Sequence, residues 1–275
     1  MLVILINYKN SIETVNYVEE LSRQNLFNQL MKIRIVDNSE NEEEYYSLKN
    51  KLEKYKNVEV INPNENLGYF NAANLAFKKY VRENSLPEWV IISNTDISYE
   101  SQDFFEQLLT LYSKGINGII APSILSSSSM TDQNPYAKYR FTKGKLVFYK
   151  NLYKSQFLTT LASYFVRMKR SYKKQTSTNE NYTENPTSEI YAPHGAFIIF
   201  NKLYFQNGGD LNYKSFLFCE EIYLGELSKA NGLQVVYDNR FKVIHHEHST
   251  VSLLKKNKLL HYSKESIEYI LKEFY

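Results

Sequence analysis

Through the first half of the chain, short apolar runs alternate with stretches whose apolar residues recur every three or four positions. Leu2–Ile6, Ile33–Val36, Val58–Ile61 and Trp89–Ile92 have the length and β-branched content of buried strands. Between them, Ile12, Val15, Val18 and Leu21 keep helical spacing, an acidic helix is predicted over Glu42–Tyr55, and a third starts near Tyr69 with Phe70, Ala73, Phe77 and Val81 on one face. A further helix is predicted over Phe104–Tyr112. Alternation of this kind implies right-handed crossovers and a mostly parallel sheet. Such sheets bind ligands beyond the carboxyl ends of their strands, so the polar residues just after each run are the ones to weigh. These are Asn7 and Tyr8, Asp37 and Asn38, Asn64 to Gly68, and Asn94 to Asp96.

The pattern changes after Pro122, where Ser126–Ser129 and the residues up to Pro135 read as a loop. A helix is predicted over Lys154–Lys174, with an apolar stripe from Phe157 to Tyr172 and Lys154, Arg167, Lys169, Arg170, Lys173 and Lys174 around it. Gln175–Ser188 is polar and reads as a long loop. Order returns with strands at Ala196–Phe200 and Leu233–Tyr237, a helix over Glu220–Asn231 and a closing helix from about Ser263 to Tyr275. No internal repeat is present.

At 275 residues and 43% apolar content, the chain is large enough for one α/β domain with an insertion. A net charge of +3 is too small to argue for nucleic acid. The single cysteine, Cys219, excludes an intramolecular disulfide framework and any Cys-rich zinc site, and it fits a reducing, cytoplasmic compartment. The opening run MLVILI is too short to span a bilayer and lacks the basic flank of a signal peptide. The 24 tyrosines and 16 phenylalanines suit stacking on sugars and bases, although a coding bias would give the same abundance.

Four constellations carry candidate chemistry. Ser93-Asn94-Thr95-Asp96 follows an apolar strand; a carboxylate there can hold a hard divalent cation whose other ligands come from phosphate oxygens, or the segment can be a plain Asx turn. Glu220-Glu221 opens a helix; the pair can complement the helix dipole, but the apolar Phe216–Cys219 in front draws it toward the interior, where acids are costly. His245-His246-Glu247-His248 follows Val243-Ile244, either as an exposed polar loop or as a source of one metal ligand. Asn66-Leu67-Gly68, ahead of a helix N-terminus, permits close backbone approach and favours anions. Neither a P-loop nor a dinucleotide-binding glycine fingerprint occurs.

In this order, Asn7-Tyr8, Val36-Asp37-Asn38-Ser39, Asn66-Leu67-Gly68 with Asn74, Asn94-Thr95-Asp96, Gly195-Ala196-Phe197, Glu220-Glu221 and His245 resemble family 2 glycosyltransferases, most of all the rhamnosyltransferase-like branch of O-antigen and capsule assembly. The resemblance spans nearly the whole chain apart from about 126–188. It implies a GT-A fold, an α/β architecture with a Rossmann-like, mostly parallel central sheet flanked by helices. On this expectation 1–122 is the nucleotide-sugar-binding half, 123–190 an acceptor-side insertion and 191–275 the acceptor and catalytic half.

The roles implied by the resemblance follow residue by residue. Asn7, Tyr8, Asp37, Asn38, Asn66, Gly68, Asn74, Asn94 and Thr95 would bind the donor nucleotide, with Asp37 near the base and ribose. Asp96 would hold Mg2+ or Mn2+ with His245, and His246 and His248 are rivals for that place. Glu221 stands where the family usually has its Asp base, so the assignment lies between Glu220 and Glu221; His194, Gly195 and Ala196 fall in the acceptor cleft. The implied reaction is inverting transfer from a UDP- or dTDP-sugar to a surface-glycan hydroxyl, the acceptor being lipid-linked. A metal ion would stabilise the departing diphosphate and one carboxylate would take the acceptor proton. A glycosidase needs two carboxylates flanking one bond, and adjacent helical residues diverge. Two other classes compete: a nucleotidyltransferase, which would open with a glycine-rich loop where Asn7-Tyr8-Lys9-Asn10 stands, and a non-catalytic glycan-binding module. The basic 154–174 stretch either packs on the domain or lies on the inner leaflet of the membrane.

Overall fold

The computed structural model describes residues 1–110, 117–155, 186–247 and 256–275. Strands β1 (Leu2–Asn7), β2 (Lys32–Asp37), β3 (Val58–Ile61) and β4 (Trp89–Ser93) pair in parallel, in the spatial order β3-β2-β1-β4. Their connections carry helices α1 (Ser11–Ser22), α2 (Phe27–Leu30), α3 (Glu42–Leu52) and α4 (Tyr69–Glu83). A short strand β5 (Ile97–Tyr99) and helix α5 (Phe104–Thr110) follow, then β6 (Asn117–Ser126) and α6 (Lys143–Leu152). The second half adds β7 (Thr187–Ile190), β8 (Phe197–Asn201), α7 (Lys202–Gln206), α8 (Glu220–Ala230), β9 (Gln234–His245) and α9 (Lys256–Phe274).

All nine strands among the described residues join one sheet, continuing β4-β8-β6-β9-β5 with β7 beside β9. β8 is antiparallel to both β4 and β6, so β6 and its parallel partner β9 run the same way as β1 to β4. Six strands therefore present their carboxyl ends along one edge. Residue alternation splits the apolar side chains between two cores. Leu2, Ile4, Val90, Ile92, Ile198 and Phe200 pack with α4, α8 and α9, whereas Val3, Leu5, Ile33, Ile35, Ile91 and Ile199 pack with α1 and α3.

The observed elements correct several expected boundaries. β9 runs twelve residues to His245 rather than stopping at Tyr237, because a register shift lets Pro122 pair with Asp238 and Ser123 with Lys242, absorbing the polar Asn239-Arg240 step. β6 extends past Pro122 to Ser126, where a loop is predicted. β7 begins at Thr187, inside the predicted polar loop, and α9 begins at Lys256 rather than near Ser263. All but Lys154 and Ser155 of the predicted 154–174 helix, most of the 175–188 loop, and His248 lie outside the described residues. No helix among the described residues is long and apolar enough to cross a membrane.

Candidate active site

The strand-end edge opens into a cavity of about 480 Å3. Tyr8 and Asn10 reach it from the end of β1, Asn38 from β2, Asn66 and Gly68 from β3, and Asn94, Thr95 and Asp96 from β4. His194, Gly195 and Ala196 enter just before β8, His245 at the end of β9, and Glu220 and Glu221 at the start of α8. Segments far apart in sequence thus meet because strand pairing aligns their ends.

Three of the predicted donor residues are not brought to this cavity. Asn7 and Asp37 are buried behind it, in a polar lock between β1 and β2. Asn7 Nδ2 donates to Asp37 Oδ1 (2.8 Å), Thr14 Oγ1 donates to Asn7 Oδ1 (2.7 Å), and Ser39 Oγ donates to Asp37 Oδ1 (2.5 Å). Local satisfaction of these polar groups is what buries them. Asn74 lies more than a turn into α4, on its buried face. Asn38 does line the cavity, and its side chain also takes hold of the next loop: Nδ2 donates to Gly68 O at 2.9 Å.

Gly68 sits at φ +77°, and a Cβ there would lie 2.0 Å from Phe216 O. Only glycine lets the donor-side loop and the 216–219 loop touch. The latter loop then turns through two consecutive non-glycine residues in the left-handed region, Phe218 (φ 73°) and Cys219 (φ 63°). Backbone of that kind costs roughly 1–2 kcal/mol per residue, and here it aims the first turn of α8 into the cavity.

Both carboxylates delivered by that turn are enclosed. Burial, then the neighbouring Glu221 carboxylate, pushes the Glu220 carboxyl up to about 8. Glu220 Oε1 is buried with no hydrogen-bond partner. Burial also raises Glu221, but the Gly195 backbone N–H donates to it and favours its ionised form. Gly195 makes this possible, since a Cβ there would stand 2.8 Å from Glu221 Oε1.

Across the cavity, Asp96 Oδ2 lies 3.2 Å from His245 Nε2. Pairing of β5 with β9 sets this approach through the register Ile97↔His245, and His246 N–H donates to Asp96 O at 2.9 Å. His246 itself turns away and bonds Ser98 Oγ (2.9 Å). His194 Nδ1 accepts the Ala196 N–H (3.2 Å), so a neutral ring carries its proton on Nε2. Burial, then the nearby His245, lowers His194 to about 4, which keeps the ring neutral at physiological pH.

The profile of the family described as "Glycosyl transferase family 2" matches residues 3–179. The chain belongs to glycosyl transferase family 2. Its α/β fold matches that of solved GT-A glycosyltransferases. GalNAc-T7 with UDP, GalNAc and Mn2+ superposes with a TM-score of 0.60 at 14% identity, covering 89% of this chain and 43% of that one. A mannosyltransferase of Pyrobaculum calidifontis, PcManGT, in complex with GDP-Man and Mn2+ gives 0.56 at 10% identity, over 99% of this chain and 69% of that one. Residues 1–349 of S. aureus TarS give 0.53 at 12% identity, over 99% and 69%. This chain thus spans less than half of GalNAc-T7. No curated protein matches it by sequence.

The donor set of this family 2 site suits a divalent ion. Asp96 and His245 converge, while no group of three or more metal-ligating side chains gathers among the described residues. A protein offering one oxygen and one nitrogen leaves the remaining positions for phosphate or water oxygens, as Mg2+ and Mn2+ commonly accept. Sequence reasoning missed other lining residues: Glu13, which accepts Thr95 Oγ1 at 2.9 Å, Tyr69, whose hydroxyl donates to Gly195 O at 3.0 Å, Gln133, Phe216 and Glu247. Glu13 and Tyr69 lie in helices whose patterns mark only packing, and no local signal reveals which of their polar atoms reach a cleft.

Proposed function

We propose that this family 2 chain is an inverting glycosyltransferase, moving a sugar from a UDP- or dTDP-sugar to a hydroxyl of a surface-glycan acceptor. The observation that carries the reading is the placement of Glu221, with the Gly195 N–H directed at its carboxylate, in the same cavity as the Asp96–His245 pair. In the proposed mechanism Tyr8, Asn38, Asn66, Gly68, Asn94 and Thr95 bound the donor nucleotide, and Asp96 and His245 hold Mg2+ or Mn2+. A bound ion supplies Lewis-acid stabilisation of the diphosphate leaving group. Glu221 accepts the acceptor hydroxyl's proton as that oxygen attacks the anomeric carbon from the face opposite the diphosphate. One base and one in-line displacement give inversion. Glu220, holding its proton, lowers the charge beside the base. His194 offers its Nε2–H to an acceptor oxygen, and Gly195 and Ala196 shape the floor of the acceptor cleft.

A lipid-linked acceptor, a rhamnosyl or related deoxyhexosyl donor, a role in O-antigen or capsule assembly and a peripheral inner-membrane location extend this reading. The motif resemblance and the basic 154–174 sequence support them.

The test is a thermal-shift screen against UDP, dTDP, GDP and CDP, each with and without Mn2+. A ligand that binds only the folded state raises Tm by mass action. A UDP or dTDP shift that needs Mn2+ and disappears in Asp96→Ala is the expected outcome. A folded protein that responds to no nucleotide would refute the reading.

A further inference from the structure

We propose that Gln133 and Glu247 are positioning residues that set the tautomer of His245 and hold its Nε2 lone pair toward Asp96. The inference rests on the reading of Asp96 and His245 as ligands of the donor's metal ion.

The argument begins at Glu247, an exposed carboxylate whose oxygens accept hydrogen bonds. Its Oε2 takes Ser126 Oγ (2.6 Å) and Ser128 Oγ (3.0 Å), which anchors the carboxylate to the end of β6. Its Oε1 takes the Gln133 side-chain NH2 at 2.9 Å. That contact orients the amide, because an amide oxygen facing Glu247 would set two acceptors together. The other end of the amide, Gln133 Oε1, then faces His245 Nδ1 at 2.8 Å. An amide oxygen only accepts, so Nδ1 carries the hydrogen.

A neutral His245 ring therefore has a bare lone pair at Nε2, and that atom lies 3.2 Å from Asp96 Oδ2. Two lone-pair donors at that separation repel unless a cation lies between them. Glu247 and Gln133 thus dictate, from outside the ligand pair, that the imidazole presents a donor atom rather than an N–H. Metal-bound histidines depend on this kind of support, and its removal typically weakens metal affinity by about 10–100-fold. Glu247 sits at φ 58°, a left-handed conformation rare outside glycine, asparagine and aspartate, which fits a residue held for its side chain's direction.

The experiment uses the full chain, free of metal and of nucleotide, with histidine rings labelled with 15N. At pH 8 the His245 ring should show its proton on Nδ1. In Gln133→Leu the acceptor left to the ring among the described residues is Asp96, so the proton should move to Nε2. Mn2+ alone, titrated by EPR, should then bind about 10–100-fold more weakly than in wild type. Glu247→Gln, which keeps an oxygen for the Gln133 amide, should retain the wild-type tautomer and come within a few fold of wild-type affinity. In turnover, Gln133→Leu should need more Mn2+ for half-maximal rate and recover kcat at saturating Mn2+. A wild-type ring protonated on Nε2, or a Gln133→Leu protein with unchanged tautomer and Mn2+ affinity, would overturn the inference. A wild-type protein with the expected tautomer that binds no Mn2+ would instead overturn the ligand assignment beneath it.

Discussion

At the scale of single residues, Glu220 and Glu221 are neighbours with opposite jobs. The Gly195 N–H favours the ionised form of Glu221, whereas Glu220 is buried with an unpartnered oxygen and its carboxyl is pushed up to about 8. Glu221→Gln should lower kcat by about 10²–10⁴-fold with little change in donor binding, as expected for loss of a general base. Glu220→Gln, which mimics the protonated acid, should keep most of the rate; steady-state kinetics on the two variants decides between them. The raised carboxyl also has a stability consequence. Because folding lifts Glu220 from its ordinary value to about 8, its protonated form is favoured in the native state. That contribution is complete below the unfolded value and is lost as pH rises through about 8, at about 1.4 kcal/mol per pH unit in between. Glu220→Gln should therefore have a higher Tm than wild type at pH 8 and a similar one at pH 4.5. Equal differences at both pH values would show that Glu220 ionises freely.

At the scale of elements, two glycines guard different properties. A Cβ at Gly68 would meet the Phe216 backbone at 2.0 Å, in a conformation L residues avoid, so the 66–68 and 216–219 loops would have to separate. Gly68→Ala should cost about 2 kcal/mol or more, read as a lower midpoint in urea. At Gly195 the obstacle is Glu221 Oε1 at 2.8 Å, the end of a side chain that can swing aside. Gly195→Ala should leave the midpoint nearly unchanged and lower kcat at least tenfold, since the base loses its place and its N–H partner. A stability loss at Gly195 comparable with that at Gly68 would refute the distinction. The elements themselves were legible wherever a strand was fully buried. β1, β2 and β4 read as apolar runs, and α1 and α4 as helical stripes, because burial imposes the period, while β3, part-buried except at Ile61, was marked by its β-branched residues. α6 was not legible, since KGKLVFYKNL buries only Leu146 and carries a glycine in its first turn. β5 is three residues long, too short for any period.

At the scale of the whole molecule, the closing helix is tied to the site's helix by one arginine. Arg140 grips Glu226 of α8 through two bonds of 2.8 and 2.9 Å and also donates to Phe274 O at the end of α9 (3.0 Å). Tyr191 OH adds a third bond to Glu226 at 2.7 Å. Burial would raise this carboxyl, but Arg140 and the Tyr191 and Tyr275 hydroxyls hold it below the usual carboxylate range. Its contribution to stability is present above the unfolded value and falls away as pH drops through the depressed one. Arg140→Met should destabilise by about 2 kcal/mol, less than for a fully buried pair because the arginine is part-exposed, and protease should then release α9 first. The deficit should shrink as pH falls through the depressed value of Glu226, below which the carboxyl is protonated in both proteins. A deficit independent of pH would mean that Arg140 acts through packing alone.

By itself, the sequence determined the alternation of strands and helices, the strand ends where ligands gather, and the residue types available there: Asp96, Glu220, Glu221 and His245. Those are local properties, because burial sets period and chemistry sets residue type. The tertiary structure decided which of them meet. His245 reaches Asp96 only through the β5–β9 register, and that register follows a bulge opposite Pro122 and Ser123 that no pattern announces. Asp37 and Asn7, which the motifs placed at the nucleotide, turn inward because Thr14 and Ser39 satisfy them there. Gln133, with no motif of its own, comes to face His245, and Glu247, which the histidine cluster contained without a role, comes to hold Gln133, because the ends of β6 and β9 lie side by side. Hydrogen bonds between distant segments depend on pairings that only the assembled sheet selects.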